Sequence, residues 1–171
     1  SVTTTIKDIL TTIKDDTDSS STLKQLKNFL SDIKELKPNG LKTKIQNSGV
    51  FLESKLANHK ESINDDLRTI LGKLSLEMKD NPKNEQIQKH IDKVLLQIDN
   101  YQLISSLSNS SSFYVPYLWE DLEEGDVEIK RLKDDSFFCD INLKLKDYGE
   151  IDLRVMLFEK NKININIFAQ N

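Results

Sequence analysis

Apolar residues recur at spacings of three and four through the first hundred residues, then at spacing two from about residue 126 onward. Ile6, Ile9, Leu10 and Ile13 mark a short first helix. It fades into the run from Asp15 to Ser21, whose side chains compete with a helix for backbone hydrogen bonds. Leu23, Leu26, Phe29, Leu30, Ile33 and Leu36 mark a second helix, with Ser21 or Thr22 as its cap and Lys37-Pro38-Asn39-Gly40 as its stop. A long third helix is expected from about Leu41 to Lys79, through Ile45, Phe51, Leu52, Leu56, Ile63, Leu67, Ile70, Leu71, Leu74 and Met78. Gly49 and Gly72 fall inside it, each costing about 1 kcal/mol relative to alanine, and Gly49 is a candidate break. Asn81-Pro82 turns the chain into a fourth helix carrying Ile87, Ile91, Val94, Leu95, Ile98, Tyr101 and Ile104. Short connections between such segments favour an antiparallel bundle.

The remainder reads as sheet. Val127 and Ile129 begin a strand after the Gly125-Asp126 turn. Cys139, Ile141, Leu143 and Leu145 alternate with polar residues, as do Ile151, Leu153, Val155 and Leu157, and then Ile163, Ile165 and Ile167. Asp147-Tyr148-Gly149 and Glu159-Lys160-Asn161-Lys162 supply the turns of a meander. The expected fold is α+β: an antiparallel helical bundle followed by a three- to four-stranded antiparallel meander packed on it. Residues 1–21 form a short helix or flexible segment, 22–107 the bundle, 108–125 a serine-rich linker, and 126–171 the meander. All are expected to act as one cooperative unit. Phe113, Tyr114, Tyr117 and Trp119 are expected at the seam between bundle and sheet.

Composition narrows the functional classes. The chain has 171 residues, 37% of them hydrophobic and 30% charged, which suits one globular unit with a real core. The net charge of −4 argues against a nucleic-acid partner, which calls for a basic footprint. Lysines interleave with acids along the helices, as on a solvated face. Cys139 is the single cysteine, which suits a reducing compartment. The start of the chain has no basic segment followed by an apolar run, so no signal peptide is read and a cytoplasmic location is expected. The uncharged stretch from Asn100 to Trp119 is too rich in serine to enter hydrocarbon, so no membrane partner is expected.

A search for chemistry returns little. Gly72-Lys73 lacks the first glycine of a phosphate-cradling loop, Leu67 standing in its place. His59 and His90 have no partner histidine at metal-binding spacing and read as partly exposed helix residues. Cys139 alternates onto the apolar face, where a thiol is inert. Glu120, Asp121, Glu123, Glu124, Asp126 and Glu128 form a dense acidic run without calcium-loop spacing, and read as a solvated turn. No enzyme activity, cofactor, metal or small-molecule substrate is expected.

Two passages carry a resemblance. The run Ser48-Gly49-Val50-Phe51-Leu52-Glu53-Ser54-Lys55-Leu56-Ala57 resembles a helical signature of the flagellar hook-length control group. Tyr117-Leu118-Trp119 with the acidic turn, and the strand Gly149-Glu150-Ile151-Asp152-Leu153-Arg154-Val155, resemble the sheet region of that group's C-terminal domain. The size, the helix-then-sheet order and the wealth of Lys, Asn and Ile are also similar to the flagellar co-chaperone family. That resemblance implies a cytoplasmic partner of the flagellin export chaperone FliS, aiding its folding and preventing its aggregation. The alternative it implies is a hook-length-control-like protein at the export gate. The expected mechanism is helix-on-helix docking, with Leu26, Phe29, Leu30 and Ile33 of the second helix as the candidate partner-binding residues.

Overall fold

The computed structural model describes residues 1–13, 20–58 and 63–170. The fold is α+β, with helices followed by an antiparallel sheet. The chain divides into two compact units: a helical unit of residues 2–100 and 116–118, and a sheet unit chiefly of residues 101–115 and 119–171.

The helical unit contains α1 (Val2–Ile13), α2 (Ser21–Phe29), α3 (Pro38–Gln46), α4 (Leu52–Ala57), α5 (Leu67–Met78) and the first part of α6 (Glu85–Ser108). Helix α2 packs on α1 and α5. Ile6, Ile9, Leu26, Leu71, Leu74 and Ile91 from these helices are completely buried. Each such side chain contributes on the order of 1.5–3 kcal/mol by leaving water.

Three expectations change here. The second helix ends at Phe29 rather than Leu36, because Leu30 turns extended. Ser31 and Ile33 then exchange backbone hydrogen bonds with Leu118, at 2.8 and 2.9 Å. The Asp32 carboxylate accepts from the Lys34 N–H at 2.8 Å and starts one tight turn, Ile33–Glu35. Lys37-Pro38-Asn39-Gly40 starts α3 instead of only stopping a helix; proline suits the first turn, where its missing N–H would have no partner.

The long third helix is three helices. Gly49 takes φ +88°, a left-handed conformation that ends the helical run, and a Cβ there would stand 2.8 Å from Ile98 Cδ1. Gly72, with no such demand, stays inside α5. Between α4 and α5 the Lys55 ammonium lies 3.1 Å from Asp66 Oδ2 and donates to Asn47 Oδ1 at 2.6 Å. Both charges are buried, Asp66 completely. The second oxygen of Asp66 caps α5 by accepting from the Arg68 N–H at 3.1 Å.

The sheet has five strands in sequence order, all antiparallel: β1 (Ser111–Tyr114), β2 (Leu122–Arg131), β3 (Phe137–Leu145), β4 (Gly149–Phe158) and β5 (Lys162–Gln170). The count exceeds the expected three to four because the serine run is not a bare linker. Ser111 to Tyr114 pair with Ile129 to Asp126 of β2, and β2 itself begins at Leu122. Asn109, at φ 51°, ends α6 in the left-handed conformation common after a helix C-terminus, which reverses the chain into β1. Gly149, at φ 75°, closes the turn between β3 and β4.

The register sorts the side chains. Val127, Ile141, Leu153 and Ile167 lie side by side across four strands, as do Ile129, Cys139, Val155 and Ile165. The other face carries Asp126, Asn142, Asp152 and Arg154 among its rungs.

Candidate functional site

Helix α6 changes character along its length. Its earlier turns bury Ile87, Ile91, Val94 and Ile98. The same three-four spacing continues through Tyr101, Ser105 and Ser108, so the inner face becomes polar in the last two turns. In the sheet unit these groups tie α6 to β1. The Tyr101 hydroxyl hydrogen-bonds Asp126, and its ring tilts at 51° against Tyr114 with centroids 5.9 Å apart. The Ser105 hydroxyl donates to the Tyr101 carbonyl at 2.8 Å and accepts from the Ser112 N–H at 2.8 Å. Burial first, and then the bond to Asp126, raise the Tyr101 phenol well above its ordinary pKa.

With serines turned inward, the leucines turn outward. Leu103 is 57% exposed, Ile104 48% and Leu107 79%. Leu103 and Leu107 are one turn apart on the same helix face. Leu103, Ile104 and Leu107 thus form an exposed aliphatic cluster at the end of α6. This patch went unseen in the sequence, where Ile104 read as core. The signal was present: Leu103 and Leu107 fall off the Ile87–Ile91–Val94–Ile98 stripe, and Ser105 falls on it.

The helical unit holds a second feature, a cavity of about 540 Å³ lined by Gln25, Phe29, Asn39, Thr43, Lys44 and Asn47 among others. The Lys44 ammonium donates to the Phe29 carbonyl and stands 5.1 Å from the Phe29 ring centroid and 5.4 Å from that of Tyr117. Burial lowers its pKa, while Glu35 opposes the change. Amides, one cation and an aromatic wall can hold a polar side chain by hydrogen bonds.

The residues singled out from sequence are dispersed. Leu26 is fully buried and Phe29 nearly so, both within the helical core; Leu30 and Ile33 are half-buried. Of the four, Phe29 lines the cavity. His90 is half-buried on α6, its Nε2 facing Gln86 at 3.2 Å; His59 lies outside the described residues. Cys139 is half-buried between Ile129 and Val155, its thiol pKa raised by burial and then by Asp140. In the acidic run, Glu123 pairs with Lys144 at 3.1 Å, and Glu124 and Asp126 border a shallow hollow with Glu150 and Asp152. Among the described residues no group of three or more His, Cys, Asp or Glu is placed to hold a metal ion, and no helix is long and apolar enough to cross a membrane. No protein-family model matches the chain, and no curated protein or solved structure matches it.

Proposed function

We propose that this chain is a non-enzymatic protein-binding module of the bacterial flagellar export system, a cytoplasmic co-chaperone of the flagellin export chaperone FliS. The exposed face Leu103, Ile104 and Leu107 at the end of α6 is the observation that supports the reading. It replaces the second-helix stripe as the docking surface, because Leu26 and Phe29 already spend their surface in the core. Three aliphatic side chains on one helix end suit an apolar groove between helices of a partner bundle. Docking there would cover aliphatic surface that now faces water and would protect the partner's own groove from aggregation.

Titration calorimetry of the full chain against FliS tests this. Binding in the micromolar range or tighter is expected. Leu103→Ser with Leu107→Ser should weaken it at least about tenfold while leaving the thermal midpoint unchanged. Absence of heat at micromolar concentrations, or binding indifferent to the double change, would sink the proposal.

The hook-length-control alternative keeps one specific support. Gly149 occupies the turn before a strand of alternating apolar residues, Ile151 to Leu157, the pattern on which that resemblance rests. Deleting the gene should then alter hook length, and hooks of normal length would remove this reading.

A further inference from the structure

Helix α3 starts without a full set of backbone partners. Pro38 has no N–H to give, the Lys37 side chain provides no cap, and the first bond into the helix runs from the Leu41 N–H to the Lys37 carbonyl at 2.8 Å. The N–H groups of Asn39 and Gly40 are left over, at the positive end of the helix. Most helices share that much. Here a hollow of about 370 Å³ opens on this end, bordered by Ser31, Glu35, Lys37, Gly40, Lys44 and Tyr117 among others.

Tyr117 is the independent sign of a ligand. It is only 2% exposed, yet no hydrogen bond joins its hydroxyl to any described residue. The hydroxyl oxygen lies 3.5 Å from the point that a Cβ on Gly40 would occupy, so it faces the start of α3 from within the hollow. A buried hydroxyl without a protein partner is satisfied by what occupies the space in front of it. The half-buried Lys44 ammonium shares that space, 5.4 Å from the Tyr117 ring centroid; it donates to the Phe29 carbonyl and forms no ion pair with any described residue.

The chemistry narrows the ligand. Two N–H groups, an ammonium and a phenol O–H are donors around one space, which suits the oxygens of an anion. Two ammonium groups, Lys37 and Lys44, against the one carboxylate of Glu35 leave the hollow one positive charge in excess, a match for a single carboxylate rather than a doubly charged phosphate. Asn39, Gly40 and Lys44 also border the 540 Å³ cavity, whose wall continues with Gln25, Asn28 and Asn47. Side-chain amides both donate and accept, as a peptide backbone requires, and Asp65 on that wall disfavours a further acid.

We propose that the hollow and the cavity together bind the C-terminal end of a peptide, its carboxylate held by the Asn39 and Gly40 N–H groups, the Lys44 ammonium and the Tyr117 hydroxyl. The peptide's preceding residues lie along the amide-lined wall, and the combined space is of the size that takes a small ligand. The site uses none of the leucines of α6 and does not rest on the FliS reading.

Nitrogen-15 correlation spectra of the full chain, titrated with N-acetyl-trialanine as the probe, test the site. The Asn39 and Gly40 amide signals should shift saturably, with a Kd of about 5 mM or tighter. The same peptide carrying a C-terminal amide should bind at least about tenfold more weakly, because the charge-assisted bonds are lost. Tyr117→Phe removes a hydroxyl that has no protein partner, so it should leave the thermal midpoint unchanged and weaken the peptide at least about threefold. The comparison of acid with amide needs no variant. Absence of saturable shifts, equal binding of the acid and the amide, or affinity indifferent to Tyr117→Phe overturns the proposal. So does acetate or inorganic phosphate binding as tightly as the peptide, since that makes the hollow a simple anion site that the cavity does not extend.

Discussion

In the helical unit, Ile6, Leu26, Leu71 and Ile91 come from four helices, and none has any exposed surface. In the sheet unit, every residue of β5 is exposed, its three odd-numbered isoleucines included. The same amino acids, arranged with equal regularity, end in opposite environments. A helix bundle closes on itself, because each stripe meets stripes arriving from other directions. A single sheet has two faces and two edges, and its alternation decides only which residues share a face. Periodicity reports membership of a face; it does not report what meets that face.

The largest effect expected concerns whether the two units unfold together. Helix α6 runs unbroken from Glu85 to Ser108, serving first one unit and then the other. Unfolding followed by Trp119 fluorescence, a reporter in the sheet unit, should therefore coincide with loss of helical dichroism. Two separated transitions would make the comparison one between independent domains.

Next comes a removed partner charge. Lys55→Met should cost about 3–5 kcal/mol, because it leaves the Asp66 carboxylate buried without compensation. Adding Asp66→Asn, which keeps a capping oxygen for α5, should recover part of that loss in urea titrations. If the single change is mild, the helical unit is more open to water than its burial indicates. A matched pair of truncations sharpens the contrast. Leu71→Ala should cost about 2–5 kcal/mol, whereas Ile165→Ala, measured at dilution, should cost less than about 1 kcal/mol. Equal costs would mean that the sheet face is covered in solution even at low concentration.

The smallest effect is a slope with pH. The Tyr101 pKa is higher in the folded protein than its ordinary value of 10.0. Below that value both states hold the proton, and stability is unaffected. Above it the unfolded chain releases a proton that the folded chain keeps, so stability falls as pH rises. Tyr101→Phe should flatten that alkaline slope; an unchanged slope would mean that other groups set it.

Much of the fold was legible. Stripes such as Leu67–Ile70–Leu71–Leu74 and Ile87–Ile91–Val94–Ile98 name their helices, and the alternation from Cys139 to Leu145 names β3. What escaped has physical causes. The break near Gly49 was marked by the glycine itself, but the further division between α4 and α5 was not, because the apolar spacing runs on through both. Ser111 and Ser112 join a strand through backbone hydrogen bonds, to which hydrophobic pattern is blind. Ile33 and Leu36 continue a helical spacing while the backbone of Ser31 and Ile33 is bonded to Leu118, more than eighty residues away. The outward leucines of α6 were hidden by the same blindness: a stripe of serines looks like the absence of an inner face, when its hydroxyls are what bind that face to β1.

The serine run has a practical consequence for anyone dissecting this chain. Composition invites a cut between Ser108 and Ser112, as though a tether joined two separable halves. Such a cut would pass through the left-handed residue that reverses the chain and would deprive Ser105 of the amide it accepts from. It would also part β1 from α6, leaving that edge strand with the sheet but without the Ser105 hydroxyl that bonds the Ser112 N–H. Fragments made that way would each lack the hydrogen bonds that join α6 to β1, and their behaviour would be a poor guide to either half. A cleaner division would keep α6 and β1 together with the strands that follow.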